Sequence, residues 1–283
     1  MIKYTFASLG KLESVGLRVG GAGLGNILIP WATALVYAKK HKLLRIQTTW
    51  RTIKLGTFIR KERDKRMYLD LFTREEGVSG IRKFFLLNFS NQVKKFSSIA
   101  NLFESFKDQH TFVRDELLQI VNPYHMKKVE SFDSNSIALH IRMGDFLVSK
   151  DETLLRNGAW NYRIPLRWYI SLIKKIRLIT DLPVYIFSDG SDEDLADILK
   201  LDNCKRAYFG SAISDMIALS RSRLLIASGS TFSMWASFLG QTPTIWFPGQ
   251  MRQALILNSN IFEGEIDYDE ELPLNVKKVF NND

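Results

Sequence analysis

The sequence predicts an α/β protein built on a parallel sheet that is covered on both faces. Short apolar runs recur through the second half of the chain at Ile137–Arg142, Val184–Phe187, Leu224–Ala227 and Thr244–Phe247. Segments with helical periodicity lie between them, and the runs end in turns rich in Ser, Gly and Asp. Continuous apolar strands alternating with helices are the pattern of a parallel sheet, because crossover helices shield both of its faces. Ligands of such sheets bind beyond the carboxyl ends of the strands. That rule directs attention to His140–Asp145, Ser188–Asp189 and Ser228–Ser233.

Each element has its own warrant. Leu166–Ile179 reads as a helix opened by Pro165, and Ser191 opens another with Asp194 at the capping-box position. Ser214–Ser222 and Thr231–Leu239 complete the helical set. Towards the N-terminus, Leu17–Val19 reads as a short strand, followed by the glycine-rich loop Gly20–Asn26 and a helix. In that helix Leu28, Trp31, Ala32, Leu35 and Ala38 follow helical spacing, with Pro30 placed in the first turn, where proline is tolerated. Residues 42–128 give no clear topology. Glu130–Ser136 is the best candidate linker, dividing the chain into an acceptor-side domain, 1–131, and a second domain, 132–283.

Composition narrows the function. The chain has 283 residues, 46% hydrophobic and 24% charged, which suits two modest domains. Its single cysteine, Cys204, forms no internal disulfide and lies outside any Cys/His cluster, so a zinc site is not indicated. The longest apolar stretch, Ile27–Ala38, is far short of the roughly 20 residues of a membrane span. With no secretory signal either, the chain reads as cytoplasmic. The net charge of +9 is concentrated in Lys39–Arg66, where eleven basic residues face only Glu62 and Asp64. Such a block suits a solvated face, an anionic membrane surface or an acidic acceptor. Nucleic acid is disfavoured, because no helix-turn-helix, zinc-finger or RNA-binding signature is present.

Three motifs carry chemistry. Gly20–Asn26 precedes a helix N-terminus, so its amides suit close approach of phosphate or sugar, or simply a tight turn. The third position of a dinucleotide fingerprint holds Asn26, and no P-loop lysine follows. Along Ile137–Arg142, alternation places Ile137, Leu139 and Ile141 on one face and His140 and Arg142 on the other. Gly144 then turns the chain and presents Asp145. A guanidinium there suits a diphosphate, or else pairs structurally with Asp145. Ser228–Ser233 joins a strand to a helix, and its hydroxyls and amides suit an anion, with Ser230 also serving as N-cap. The acidic pairs Asp192/Asp194 and Asp267/Asp269 could hold a divalent cation. Asp192 and Asp194 are equally explained as a helix first turn, and no metal is expected.

Gly23-Leu-Gly-Asn26, His140-Ile-Arg-Met-Gly-Asp145, Phe187-Ser-Asp189, Asp215-Met-Ile-Ala-Leu-Ser220 and Ser230-Thr-Phe-Ser-Met-Trp-Ala236 stand in an order that resembles the alpha-1,2-fucosyltransferases and their bacterial relatives, glycosyltransferase family 11. The alpha-1,6- and protein O-fucosyltransferases belong to the same superfamily. The resemblance implies a GT-B-like architecture of two Rossmann-like domains with parallel sheets, GDP-fucose being held mainly by the second. It implies Arg142 on the donor diphosphate, His140 near the guanine and Asp215 reading the guanine edge. Ser230, Thr231 and Phe232 would lie at the phosphates. Ser188 and Asp189 join the donor-binding set, and Gly23, Gly25 and Asn26 belong to a loop closing over donor and acceptor. Met143 replaces the second arginine usual in the alpha-1,2 enzymes.

The implied reaction is an inverting, metal-independent transfer of fucose to a hydroxyl of a glycan, such as a surface polysaccharide or a lipid-linked oligosaccharide. The latter suits an enzyme peripheral at the inner membrane face. Arg142 would stabilise the leaving diphosphate. Asp145 is the first candidate for the base, with Asp151 and Glu152 as alternatives. The competing readings are transfer from another nucleotide sugar and a non-catalytic nucleotide- or glycan-binding protein on the same fold.

Overall fold

The computed structural model describes residues 1–19, 22–53, 68–73, 75–149 and 151–280. The chain divides into two compact units, Met1–Lys127 and Lys128–Asp283. Both are α/β with parallel sheets, in keeping with the GT-B-like class expected.

In the first unit β1 (Tyr4–Ala7), β2 (Arg18–Val19), α1 (Leu24–His41), β3 (Leu44–Arg45), β4 (Thr52–Ile53), α2 (Gly80–Phe89) and β5 (Val93–Phe96) follow in order, then α3 (His110–Ile120). A three-stranded parallel sheet has the order β3-β1-β5, and β2 pairs with β4. The helix α1 begins at Leu24, four residues before the first position its periodicity marks. Pro30 therefore lies inside the helix rather than in its first turn, correcting the expectation. Its missing N–H removes one bond of the helical ladder. The helix tolerates this because most of its length is buried: Leu28, Trp31, Ala32, Leu35 and Ala38 are all within the core.

Several charged groups in this unit are buried with partners. The Glu13 carboxylate accepts from the Leu9 amide at 2.6 Å and the Ser8 hydroxyl at 2.8 Å. Glu75 accepts from Trp50 Nε1 at 2.6 Å and the Thr48 hydroxyl at 3.1 Å. Lys83 donates to the Gln47 carbonyl and the Thr49 hydroxyl, both at 2.6 Å. Burial raises the pKa of both carboxyls and lowers that of Lys83 to about 8. Of the basic segment, Lys54–Arg66 lies outside the described residues, as do Gly20 and Gly21 of the loop. Among its described members, Lys39 sits over the Phe112 ring at 3.7 Å and Arg45 pairs with Glu116 at 2.8 Å.

A short helix, α4 (Pro123–Val129), contains the point of division. The second unit then runs β6 (Ile137–Ile141), α5 (Glu152–Arg156), α6 (Leu166–Arg177), β7 (Val184–Ser188), α7 (Ala196–Leu199), β8 (Cys204–Arg206), α8 (Ala212–Ser220), β9 (Leu224–Ile226), α9 (Thr231–Gly240), β10 (Thr244–Trp246), β11 (Glu263–Glu265) and α10 (Leu274–Lys278). Its six strands are all parallel, in the order β11-β10-β9-β6-β7-β8. Counted within the unit this is the doubly wound order 3-2-1-4-5-6, which reverses direction between β6 and β9. All five residues of β6 are buried, with Ile137, Leu139 and Ile141 in one core with Trp168, Tyr169, Leu172 and Ile176 of α6. The capping box at Ser191 and Asp194 forms, but regular helix starts only at Ala196. Among the described residues no helix is long and apolar enough to cross a membrane.

The helices α8 and α9 meet at their carboxyl ends. There a Cβ on Gly240 would collide with the Ser220 carbonyl oxygen and crowd Thr242, whose hydroxyl already donates to that same carbonyl at 2.9 Å. Backbone cannot yield as a side chain can, so overpacking of about 1–3 kcal/mol is expected for Gly240→Ala. The melting temperature should fall by several degrees, at roughly 2–4 °C per kcal/mol for a unit of this size. Calorimetry of the variant beside the parent protein measures this.

Candidate functional site

The carboxyl ends of β9, β6 and β7, three adjacent strands, carry the serine loop, the His140–Asp145 segment and Ser188–Asp189. The expected ligand face of the sheet is therefore also where these motifs meet. At the reversal point between β6 and β9, His140 Nδ1 lies 2.7 Å from Ser233 Oγ, 2.9 Å from Ser228 Oγ and 3.5 Å from Ser230 Oγ. The serines bond among themselves: Ser228 Oγ is 3.0 Å from both Ser230 Oγ and Ser233 Oγ. Ser230 is the N-cap of α9, accepting from the Ser233 amide at 3.4 Å, so the structural role foreseen for it is real. Phe232, half-buried, packs its ring on His140 at 4.9 Å between centroids, and Thr231 opens the helix beside it. Trp235 and Leu239 are buried on the core side.

His140 is only 7% exposed. Desolvation, reinforced by the positive charge of Arg142, lowers its pKa to about 3. The ring is therefore neutral at physiological pH, with one nitrogen a donor and the other an acceptor. An unfolded chain would protonate this histidine near 6.5. Between about pH 6.5 and 3 the unfolded state consequently binds the extra proton, and stability falls as pH drops through that window. NMR should show the His140 ring not titrating from pH 8 to pH 4, with denaturation midpoints declining below pH 6.5.

Arg142 follows directly after β6. Its guanidinium donates to two carboxylates, Asp189 and Asp145, and lies over the Phe146 ring at 5.2 Å. Asp189 is the more embedded partner: its second oxygen accepts from the Met143 amide at 2.7 Å. The turn closes on it so tightly that a Cβ on Gly144 would collide with the Asp189 carboxylate. The Asp189 side chain is 25% exposed and that of Asp145 45%. Ser188 Oγ accepts from the Gly190 amide at 3.0 Å, and Arg206 donates to the Ser188 and Gly190 carbonyls at 3.0 and 2.6 Å. Asp215 lies in the first turn of α8, where it accepts from the Phe209 amide at 2.7 Å, holding the loop that precedes that helix.

Other expected residues are spoken for. Asp151 is the N-cap of α5, accepting from the Thr153 amide at 2.8 Å. Glu152 accepts from Tyr268 OH at 2.9 Å and pairs with Arg167. Asp267 is gripped by both terminal nitrogens of Arg156, Asp192 pairs with Arg206, and Asp194 caps Ser191. Among the described residues no His/Cys/Asp/Glu cluster of three or more is placed to hold a metal ion. In the first unit, Gly25 and Asn26 form the first turn of α1 with Gly23 as its N-cap. Gly23 has an ordinary φ of −67°, and among the described residues nothing lies within 4 Å of where its Cβ would stand. Neither its backbone conformation nor packing among the described residues demands glycine there.

Two further residues, Arg163 and Gln250, support the site from outside the motifs. Arg163 Nε donates to the Met143 and Phe146 carbonyls at 3.1 and 2.9 Å, clamping the turn that presents Arg142 and Asp145. Gln250 is buried, and a Cβ on Gly229 would collide with its amide oxygen, so the serine loop rests on it. Pro248-Gly249 just before Gln250 marks a turn, but no local pattern ties either residue to the site.

These features define a Rossmann-like α/β unit whose reversal point gathers a neutral imidazole, a hydroxyl-lined helix N-terminus and a guanidinium. The chain belongs to glycosyl transferase family 11, whose model matches residues 24–249, the family its motifs resemble. The O-antigen biosynthesis glycosyltransferase WbnK of Escherichia coli is 27% identical over 202 residues, covering 62% of this chain and 63% of that protein. The chain thus matches less than two thirds of that relative's length. Among solved structures, fucosyltransferase NodZ from Bradyrhizobium shares 15% identity over 88% of this chain and 97% of that one, with a TM-score of 0.45. POFUT1 in complex with GDP-fucose shares 12% identity over 87% and 97%, with a TM-score of 0.44.

Proposed function

We propose that this chain is an inverting, metal-independent fucosyltransferase that uses GDP-fucose and acts on a glycan hydroxyl. Family membership supports sugar transfer, and the role of the Escherichia coli relative in O-antigen biosynthesis supports a surface-polysaccharide acceptor. The observation that carries the donor reading is the reversal point itself. A buried neutral His140 meets the serine loop there, and Arg142 emerges one residue beyond the strand.

In this reading the diphosphate lies between the α9 N-terminus and Arg142, where amides, Ser230 and Thr231 hydroxyls and a guanidinium all favour negative charge. Asp215 accepts from the guanine N1–H and exocyclic amine, with His140 beside the base. Gly23, Gly25 and Asn26 of the first unit belong to a glycine-rich loop at a helix N-terminus, which this reading assigns to sugar binding. The acceptor oxygen attacks C1, the bond from C1 to the phosphate oxygen breaks, and GDP carries away the electron pair. Charge grows on the diphosphate as this happens, so Arg142 acts chiefly on the transition state.

The two carboxylates on Arg142 have different parts. Asp189, held by the Met143 amide and packed against Gly144, is the fixed orienting partner. Asp145 is more exposed and is the one the diphosphate displaces, which delivers a carboxylate to the acceptor side as the base that takes the hydroxyl proton.

Calorimetry should show GDP binding well ahead of UDP and ADP, and equal affinities would remove the guanine assignment. Arg142→Ala should lose on the order of 100- to 1000-fold in transfer while melting near the parent temperature. Arg142→Lys should recover little, because a point charge lacks the planar fork. A folded, active Arg142→Ala protein would reduce the residue to a structural ion pair.

Asp145→Asn separates displacement from base catalysis. Removing a competing carboxylate should leave GDP binding equal or tighter. Transfer should fall by on the order of 100-fold or more. Weaker GDP binding with unchanged turnover would reverse the assignment.

A further inference from the structure

Next to the Arg142 turn lies a surface that the donor reading leaves unused. Trp160 is 46% exposed, whereas the other five tryptophans, at 31, 50, 168, 235 and 246, are all buried. Its ring is held in place. The Arg252 guanidinium covers it at 4.2 Å from the ring centroid and is itself pinned from several sides. Arg252 donates to the Gly158 carbonyl at 2.5 Å, the Ala159 carbonyl at 2.9 Å and Gln250 Oε1 at 2.8 Å. Gln250 in turn donates to the Leu155 carbonyl at 2.5 Å. An exposed indole on so fixed a base is organised beyond what a solvent-facing loop needs.

The platform is also coupled to both halves of the site. Leu147 donates its amide to the Asn161 carbonyl and accepts from the Arg163 amide, both at 2.8 Å. This ladder ties the residue after Trp160 to the chain leaving Asp145. Arg163 reaches on to the Met143 and Phe146 carbonyls. On the other side, Gln250 abuts Gly229 of the serine loop. Leu147, Val148 and Leu154 are exposed in the same stretch of chain, adding apolar surface there.

We propose that Trp160 is the platform on which a pyranose ring of the acceptor glycan stacks, an assignment that rests on the sugar-transfer reading of the neighbouring site. The apolar face of a pyranose presents C–H groups of slight positive charge, which suit the negative face of an aromatic ring. A rigid aromatic also gives contact area at little cost in side-chain entropy. Arg252 fixes the plane of the indole, and the ladder sets its position relative to the turn bearing Asp145. The stack therefore orients the acceptor and leaves the donor contacts untouched.

Because Trp160 is the one exposed tryptophan, acrylamide quenching of intrinsic fluorescence reports on it selectively. Methyl glycosides of galactose, glucose, mannose, N-acetylglucosamine and N-acetylgalactosamine, together with lactose, serve as probes at high millimolar concentration, with and without GDP. At least one should protect the fluorescence, and Trp160→Phe should abolish the signal. With the protecting glycoside as acceptor, Trp160→Ala should raise KM by about 5- to 10-fold, as loss of one aromatic contact implies. Trp160→Phe should stay close to the parent, and GDP affinity and melting temperature should be unchanged in both. Protection by none of the probes, or an unchanged KM in Trp160→Ala, would overturn the platform. Absence of GDP binding in the parent protein would count against the donor site instead, and the quenching result would still be readable.

Discussion

The constraint on which the second unit depends is the reversal of strand order between β6 and β9. Chain leaving β6 crosses towards β7, and chain leaving β9 crosses towards β10, so the two connections diverge. The cleft left between them cannot be filled by either crossover helix. Polar groups at these strand ends must find partners in one another or in a ligand, because burying them unpaired is costly. His140 resolves this by meeting Ser228 and Ser230 of the β9–α9 loop and Ser233 in the first turn of α9, and Ser230 also caps that helix. The same hydrogen bonds hold the loop, start the helix and fix the imidazole.

That economy explains why the functional and structural readings of these residues do not compete. Ser230 was foreseen either as an N-cap or as an anion ligand, and its side chain does act as the cap. Asp215 is both a first-turn acid and the anchor of the preceding loop. A helix N-terminus whose amides are organised by such side chains remains an electropositive end. Structural use of a side chain at the mouth of a parallel sheet is part of how the site is built.

Much of this unit was legible because its signals are local. Alternating strand residues, the Ser-Gly-Ser turn and the glycine after Arg142 all act within a few positions of one another. The elements that escaped notice act over long separations and through backbone acceptors. Arg163 serves carbonyls 17 and 20 residues away, and Gln250 reaches a carbonyl 95 residues back. Carbonyls carry no residue identity, so no motif records such contacts. Pro30 failed differently. Its position suggested a helix start, but burial of nearly the whole inner face of α1 outweighs one missing ladder bond. In the first unit the strands are two to four residues long, too short for periodicity to stand out from residues 42–128.

Charge is handled differently in the two units. In the first, Glu13, Glu75 and Lys83 are buried and matched by close donors and acceptors, and burial shifts each towards its neutral form. Buried polar groups of that kind specify one arrangement of a core. In the second unit several ion pairs lie at the sheet's rim and are partly solvated: Arg142 with Asp189 and Asp145, Arg156 with Asp267, and Arg206 with the largely exposed Asp192. Partly solvated pairs are weak as stabilisers and can be exchanged at small cost. Of these, the Arg142 set stands at the end of β6 beside the reversal point, and there Asp189 is fixed by a backbone amide and a glycine turn while Asp145 stands more exposed. An arginine gripped by two carboxylates, one of them fixed by a backbone amide, is oriented and charge-compensated within the fold. That is how a cation can be kept at the mouth of an apolar sheet without distorting it.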